Sequence, residues 1–302
     1  MILDIIRVTA GIIFLGYASF SDLKTRRVDD KVWVIMGFAG FLLLIAQFYL
    51  ENIKPVYYLT FIPIMLLFLS FFLETSEKTE LRKGKISRKI WFPLCCFGIV
   101  VFVYQVYVLR SDTFFLQILT IPLIMLFAFL LYNIRLLFGG ADAKALITIA
   151  LLTPFYPNWI PFLRYFLINF LIKDIWPFPI IVLTNAVVLS LIIPVIFLFY
   201  NISRKDFHFP LSFLGYKMDI DNIGKKFVWP LEKIKNGKIV KVFFPKKDEN
   251  VEEEVRKLKE MGAKRIWVTS KIPFMLPLFA GFIASFAVGD IMFRIVRVIW
   301  GI

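Results

Sequence analysis

Long apolar segments recur along almost the whole chain, and they constrain its fold more than any other feature. An α-helix needs about 20 mostly apolar residues to cross a hydrocarbon core of about 30 Å. Segments close to this length occupy residues 5–20, 32–50, 56–73, 91–109, 114–138, 178–200 and 272–288. A chain of 302 residues that is 59% hydrophobic and 19% charged fits neither a soluble enzyme nor a disordered protein. We therefore predict a polytopic helical membrane protein.

Two shorter or mixed segments complete the predicted membrane part. A short apolar run ends at Leu152, just before Pro154 and Pro157, and predicts a short sixth helix. Residues 156–177 mix aromatic and charged side chains, which is typical of an interfacial or re-entrant segment. The predicted fold is an all-α polytopic membrane protein with about eight transmembrane helices, in a range of about six to nine.

Residues 201–271 differ in composition from the rest of the chain, with 17 Lys or Arg and 10 Asp or Glu. The β-branched and aromatic runs at 239–244 and 265–269 predict strands, and 250–261 predicts a helix that Gly262 caps. We predict a small, water-facing α+β insert. The chain then divides into a membrane core (1–200), the insert (201–271) and a last helix with a tail (272–302).

The formal net charge of +14 is unevenly distributed along the chain. The first loop contains four Lys or Arg and the 74–90 loop contains six, whereas the 51–55 and 110–112 breaks contain one each. Because basic loops of membrane proteins stay in the cytoplasm, both basic loops predict one orientation. The charge therefore indicates topology, and no interleaved basic and aromatic motif favours nucleic acid. The insert also faces the cytoplasm if residues 156–177 do not cross.

Two carboxylates fall on the predicted cytoplasmic side, at similar membrane depth. Asp22 follows the first span, and Asp142 lies between the fifth span and the short sixth helix. Two carboxylates held close together can share one proton, so that one acts as a base and the other as an acid. This is aspartic-protease chemistry, and it needs no metal or cofactor. We predict a common depth for the two residues and make no prediction of their separation.

The residues around Asp142 fit this interpretation. Gly139 and Gly140 permit unusual backbone conformations and, with the small Ala141, close approach to another helix or a peptide. Asp142 then begins a helix, whose N-terminal dipole favours a carboxylate. Lys144 could tune the Asp142 carboxyl group or bind a lipid phosphate, and we favour a role as a topology anchor. A simple helix cap at Asp22 and a simple chain break at the two glycines are the structural alternatives.

Other polar residues carry weaker expectations. Asp29 and Asp30 could attract a basic substrate segment or could simply be solvated. His208 is the only histidine and Cys95 and Cys96 are adjacent in an apolar stretch, so we predict no metal site. Asn185 lies inside a span, where a hydrogen bond between helices is the expected role.

The run 139–146, Gly-Gly-Ala-Asp-Ala-Lys-Ala-Leu, resembles the Gly-x-Gly-Asp signature of the type IV prepilin peptidases and the archaeal preflagellin peptidases. Ser21 and Asp22, followed by basic residues after the first span, resemble that family's first catalytic aspartate. Residues 266–269 and the final span that leads to Gly289 and Asp290 are similar to the C-terminal part of archaeal members.

This resemblance implies an aspartic endopeptidase of the cytoplasmic membrane, with Asp22 and Asp142 as its catalytic pair. It would remove the short basic leader, a class III signal peptide, from prepilins or preflagellins of the archaeal type IV pilus or archaellum. Ala141 replaces the second glycine of the signature. The Cys-x-x-Cys module of bacterial members is missing from the sequence, so we expect no N-methyltransferase activity. Residues 56–109 form an extra hairpin relative to the smaller preflagellin peptidases.

Two further functions stay open at this point. A presenilin-like or signal-peptide-peptidase-like protease would use similar chemistry inside the bilayer, but those families place the first aspartate within a span, whereas we expect Asp22 in a loop. A transporter could use Asp22 and Asp142 as ion or proton sites, although we find no inverted repeat of the kind common in transporters.

Overall fold

The computed structural model describes residues 2–75, 88–137, 139–156, 177–235, 237–243 and 251–301. The chain divides into two compact units. The first contains Met1–Val188 and Pro273–Ile302, and the second contains Leu189–Ile272. The predicted insert, residues 201–271, lies within the second unit, which begins 12 residues before it and ends one residue after it.

Helices dominate the part of the chain before the second unit. They are α1 (Ile2–Thr25), α2 (Asp30–Leu50), α3 (Phe61–Thr75), α4 (Arg88–Leu109), α5 (Thr113–Asn133), α6 (Gly140–Leu152) and α7 (Phe178–Ser190). A 3₁₀ turn, Pro55–Thr60, precedes α3. Near the C-terminus follow α11 (Met275–Ala287) and α12 (Ile291–Trp300).

Six helical segments of the described residues are long and apolar enough to cross a membrane. They are Ile2–Thr25, Asp30–Leu50, Pro55–Phe72, Trp91–Leu109, Thr113–Asn133 and Phe178–Ser203. A seventh is counted if α11 and α12, which are bent by 65° against each other, form one span. This confirms the predicted polytopic helical membrane protein, and six or seven lies within the expected range. The predicted interfacial segment 156–177 falls almost entirely outside the described residues.

Several boundaries differ from the prediction. The first helix continues through the expected loop to Thr25, since nothing in residues 21–25 interrupts the backbone hydrogen bonds, and Arg26 N still donates to Asp22 O at 3.0 Å. The fifth helix ends at Asn133 rather than at 138, because Arg135 adopts a positive φ of 60°. The expected C-terminal tail is helical as α12, which Asp290 caps at its start.

The short helix α6 lies in the core of the first unit. Every residue from Asp142 to Leu152 is buried, and α6 packs against α1, α2, α5 and α11. Gly40 on α2 permits the closest of these approaches, because a Cβ atom there would lie 2.6 Å from the backbone nitrogen of Leu152. A helix that is mostly apolar around its circumference is expected in such a position, and its charged residues, Asp142 and Lys144, both lie near its start.

The second unit contains α8 (Ile192–Ser203), α9 (Leu211–Leu214), α10 (Val251–Glu260) and five short strands. The strands are β1 (Tyr216–Asp219), β2 (Val228–Pro230), β3 (Glu232–Lys235), β4 (Lys238–Lys241) and β5 (Arg265–Ser270), and a 3₁₀ turn, Ile220–Lys225, follows β1. β5 pairs antiparallel with β1 on one side and β2 on the other, with Met218 opposite Ile266 and Pro230 opposite Val268. β3 and β4 form a separate hairpin in which Ile234 lies opposite Ile239.

Strand β5 is buried on both faces. Ile266 and Val268 pack with Leu258 of α10, and Trp267, pointing the other way, packs with Leu211 and Leu231. The alternation follows from the two-residue period of a strand. The predicted helix and both predicted strands of the insert are present as α10, β4 and β5, although β4 starts at 238 and ends at 241. Gly262 ends α10 with a φ of +79°, as expected of a C-cap glycine.

Candidate active site

Asp142 lies in the first turn of α6, as the sequence predicted. Gly139 is the residue before the helix, and the Asp142 amide donates to its carbonyl oxygen at 3.1 Å. Asp142 is only 7% exposed. Its carboxylate therefore lies at the positive end of the helix dipole, in a position with little access to bulk water.

Gly139 and Gly140 have different roles, and neither is the conformational one that we expected. Gly139 has a φ of −105°, which any residue adopts, and Gly140 is already helical. A Cβ atom at position 139 would lie 2.5 Å from Asp142 Oδ2, so a side chain there displaces the carboxylate. A Cβ atom at Gly140 would meet nothing closer than the Tyr132 ring at 3.7 Å. Of the two glycines, Gly139 is therefore the one that leaves space for the carboxylate.

Asp22 lies in the last turn of α1 and is half-buried. The expectation of a loop position is therefore wrong, although the helix ends only three residues later. The turn that follows is held by side chains, since Ser21 Oγ and Thr25 Oγ1 donate to the carbonyl oxygen of Arg27 at 2.9 and 3.0 Å. The hydroxyl groups of Ser21 and Thr25 fix the exit of the chain from α1, a role that the sequence analysis did not identify.

Lys144 and Asp30 form an ion pair between α6 and α2, with Nζ and Oδ1 2.5 Å apart. Lys144 is 6% exposed, and its ammonium group also lies 5.6 Å from the centre of the Phe72 ring. A buried ammonium group that pairs with Asp30 does not reach lipid phosphates. It also lies in a helix contact and not at the surface position expected of a topology anchor, so the favoured interpretation of Lys144 is wrong. The reason is that α6 is surrounded by other helices rather than by lipid.

Asp29 and Asp30 are adjacent in sequence but differ in their surroundings. Asp29 is exposed and caps α2, where its Oδ1 accepts a hydrogen bond from the Lys31 amide at 3.0 Å. Asp30 is turned towards Lys144 in the helix contact. The structure therefore separates two carboxylates for which the sequence suggested one shared role.

The ion pair shows how α6 is oriented in the first unit. Lys144 contacts Asp30 near the start of both helices, and Leu152 lies against Gly40 further along both. The two helices therefore run parallel, and α6 starts at the same end of the unit as α2.

The same end contains the last turn of α1. Only residues 26–29 separate α1 from α2, so Asp22 lies close to the start of α2. Asp142 lies two residues before Lys144, which contacts Asp30 on α2. The geometry therefore brings Asp22 and Asp142 to one end of the helix bundle, on the C-terminal turn of one helix and the N-terminal turn of another.

Two contacts show the direction of α11 relative to α1. Ser19 Oγ on α1 donates to the carbonyl oxygen of Met275 at 2.9 Å, and the Phe282 ring lies against Gly11. α11 therefore runs antiparallel to α1 and starts at the end where Asp22 lies. Within the described ranges, no group of three or more His, Cys, Asp or Glu side chains is placed to hold a metal ion.

Comparison with known proteins adds independent information. Residues 208–291 match a protein-family model described as Archaeal Peptidase A24 C-terminus Type II. The matched range includes β1 to β5 and α11, and so covers the segment 266–290 in which we saw a C-terminal resemblance.

Two curated proteins are similar over most of the chain, and both are named preflagellin peptidase. The one from Methanocaldococcus jannaschii is 25% identical over 233 residues, which are 74% of this chain and 93% of the relative. The one from Methanococcus maripaludis is 27% identical over 220 residues, which are 70% of this chain and 89% of the relative. These matches confirm the predicted resemblance to the archaeal prepilin and preflagellin peptidases.

Proposed function

We propose that this multi-pass membrane protein is a prepilin or preflagellin peptidase of the aspartic type, with Asp22 and Asp142 as its catalytic pair. The observation that carries the proposal is the parallel contact of α2 and α6, fixed by Lys144 and Asp30. It supports a common location of the two carboxylates at one end of the bundle. The similarity to two preflagellin peptidases supports the same activity.

The proposed reaction needs only the two carboxyl groups and water. The ionised carboxylate takes a proton from a water molecule while the oxygen of that water forms a bond to the scissile carbonyl carbon. At the same time the protonated carboxyl group gives its proton to the carbonyl oxygen. The tetrahedral gem-diol then collapses. The C–N bond breaks as the leaving nitrogen takes up a proton from one carboxyl group and the other carboxylate removes a proton from a diol hydroxyl. The shared proton is thus returned to the pair for the next cycle.

The substrate would be the short basic leader of a prepilin or preflagellin, cut ahead of its apolar helix. We place this end of the bundle at the cytoplasmic face of the cytoplasmic membrane, because both basic loops, 26–29 with its flanking residues and 74–90, join helices there. Asp29, which is exposed, would attract the basic leader. Since Lys144 already neutralises Asp30, we assign Asp30 to positioning α6 rather than to the leader.

The first test compares Asp22→Asn and Asp142→Asn with the unchanged chain in membranes that contain a preflagellin substrate. Each variant should lose at least about 100-fold in cleavage rate, since a general acid or base contributes about 10² to 10⁴. Asp290→Asn is the matched control, because Asp290, like Asp142, lies at the start of a helix but only caps it, and asparagine caps a helix equally well. It should cleave normally. Full cleavage by either of the first two variants would contradict the assignment.

The placement of Asp22 inside a helix removes one argument against a presenilin-like protease that cuts within the bilayer. Mass spectrometry of the products separates the two activities. A cut between the basic leader and the apolar helix supports the proposed peptidase, whereas a cut inside the apolar helix supports the alternative. Absence of cleavage together with proton-coupled uptake would instead favour the transporter.

A further inference from the structure

The C-terminal helix α12 has two unlike faces. Eight of its ten residues are apolar, and the two arginines, Arg294 and Arg297, are three residues apart and so share one side. None of its residues is buried, and Val298 and Ile299 are 83% and 73% exposed. A short helix with an apolar face and a narrow basic face is typical of the membrane–water interface.

The bend of 65° between α11 and α12 is built into the structure. Gly289 has a φ of +78°, a conformation that favours glycine. Asp290 Oδ1 then accepts a hydrogen bond from the Phe293 amide at 3.0 Å and caps the new helix. Both helices therefore have defined ends at the bend, so the bend does not arise from unwinding of a continuous helix.

Asn185 on α7 holds this bend from the side. Its Nδ2 donates to the Gly289 carbonyl oxygen at 2.7 Å, and its Oδ1 accepts from the Ile291 amide at 2.9 Å. Asn185 also donates to Ser285 Oγ at 2.9 Å, and it is fully buried. The predicted hydrogen bond between helices at Asn185 is thus confirmed, and it joins both sides of the break. One buried amide fixes the direction in which α12 leaves α11.

The bend lies at the end of the first unit opposite to Asp22. In the antiparallel contact of α1 and α11, Phe282 lies against Gly11 and Met275 against Ser19. Continuing this register by seven residues brings Gly289 level with Asp4, in the first turn of α1. The polar first turn of a membrane helix lies at the headgroup region. α12 therefore leaves the bundle at interfacial depth.

We propose that α12 lies in the membrane interface on the side opposite to Asp22 and Asp142, and that its partner is the lipid surface. The apolar residues would enter the upper acyl chains, and Arg294 and Arg297 would contact anionic lipid phosphates. Since α11 starts beside Asp22 through the bond from Ser19 to Met275, an anchored α12 would hold the depth of the helix next to the candidate active site. The proposal does not depend on the peptidase activity.

The test measures depth with single spin labels on the full chain in vesicles of phosphatidylcholine with about one third phosphatidylglycerol, after Cys95 and Cys96 are replaced by serine. The sites Met292 and Ile299 on α12 are compared with Leu276 and Ile283 on α11, which are also exposed and also seven residues apart. Seven residues of helix span about 10 Å. If α11 lies along the membrane normal, the pair on α12, inclined by 65°, should differ in depth by only about 4 Å. The ratio of oxygen to nickel-chelate accessibility gives the depths.

The outcomes are distinct. A shallow and nearly equal depth for Met292 and Ile299 supports the proposal. A depth difference of about 10 Å, equal to that on α11, would show that α12 continues a span and would overturn it. Full access of the nickel chelate to both sites would overturn it as well, because α12 would then lie in water.

A second measurement tests the basic face without relying on the bend. Labels on α12 should become less mobile when phosphatidylglycerol is added to phosphatidylcholine vesicles. The change should disappear in the double variant Arg294→Gln, Arg297→Gln, since glutamine keeps the length but removes the charge. No response of the unchanged chain to the anionic lipid would overturn the headgroup contact.

Discussion

At the scale of single residues, Gly139 and Gly140 look alike in the sequence but have different surroundings. The space beside Gly139 is occupied by the Asp142 carboxylate, at 2.5 Å from a Cβ atom placed there. The space beside Gly140 is open to ordinary contact. Both backbone conformations accept alanine, so the two positions differ only in what a methyl group would displace.

We predict that Gly139→Ala lowers substrate cleavage by at least about tenfold, because a displacement of about 1 Å at a catalytic group costs up to about 100-fold. Gly140→Ala should cleave normally, since a methyl group there lies at an ordinary distance of 3.7 Å from its nearest neighbour. Alanine also favours a helix more than glycine does. The measurement is the cleavage rate in membranes at matched protein levels, together with the melting temperature in detergent. Equal loss in both variants would show that the requirement at 139 is not steric.

Asp142 and Asp22 show the limits of sequence reasoning at this scale. Charge and helix-start signals correctly placed Asp142 in the first turn of a helix. The sequence analysis ended α1 before Asp22 because the polar residues 21–25 resemble a loop, although the absence of Pro and Gly from them is compatible with a continued helix. Only the backbone hydrogen bonds and the hydroxyl groups of Ser21 and Thr25 define the end of that helix.

At the scale of elements, the ion pair of Lys144 and Asp30 joins α6 to α2. Removal of one member of a buried pair is costly because the other charge loses its partner in a medium of low polarity, whereas removal of both is often tolerated. For this pair, the loss of stability in a single variant should therefore be much larger than in the double variant, which is not expected of a surface ion pair.

We predict that Lys144→Met lowers the free energy of unfolding by about 3–5 kcal/mol. The double variant Asp30→Asn, Lys144→Met should recover most of this loss, because no charge is then buried without its counterpart. Thermal unfolding in detergent measures these effects, and the unchanged chain, the two single variants Asp30→Asn and Lys144→Met, and the double variant form a double-mutant cycle. If the two changes are additive, the contact does not stabilise the packing of α6 on α2.

A second element contact, in the second unit, predicts a dependence on pH. Asp206 accepts hydrogen bonds from Lys217 on β1 and from Arg265 on β5, both at 3.1 Å. The hydrogen bond from Lys217, followed by the charges of Lys217 and Arg265, holds the pKa of Asp206 below its usual range. A lowered pKa means that folding is stabilised above the pKa of the unfolded chain, near 4, and that this is lost as the pH falls through the lower folded value.

We predict that Asp206→Asn increases hydrogen exchange of the β5 amides at pH 7, and that the difference from the unchanged chain shrinks as the pH falls below about 4. Partly exposed pairs of this kind contribute about 1 kcal/mol or less each, so the expected change is small. Both chains are compared at the same pH, which removes the intrinsic pH dependence of exchange. A difference that stays constant from pH 7 to pH 3 would contradict the ionic origin.

At the scale of the whole molecule, the distribution of basic residues and the direction of the helices agree. The end of the first unit where Asp22 and Asp142 lie contains Lys24, one of four basic residues of the first loop, and Arg135. The turns at the other end contain one basic residue each, Lys54 and Arg110. All four named basic side chains are exposed. Since basic loops stay in the cytoplasm, the end with Asp22 should face it.

We predict that single cysteines at Lys54 and Arg110, on a background without Cys95 and Cys96, react with a membrane-impermeant maleimide in intact cells. Cysteines at Lys24 and Arg135 should react only after the membrane is opened. Labelling of positions 24 and 135 from opposite sides would contradict the common end of α1 and α6, and with it the proposed catalytic pair.

The class of the protein, most of its apolar spans, the helix and two strands of the insert, and the family resemblance were all predictable from the amino-acid sequence. These depend on properties that short stretches carry alone: length, hydrophobicity, period and charge. The contact of Lys144 with Asp30, the space that Gly139 leaves for a carboxylate and the hydrogen bonds of Asn185 at the bend before α12 were not predictable from the sequence. Lys144 and Asp30 are 114 positions apart, and Asn185 lies 104 positions before Gly289. Such contacts depend on how helices pack, because packing brings together residues whose local sequences contain no information about each other.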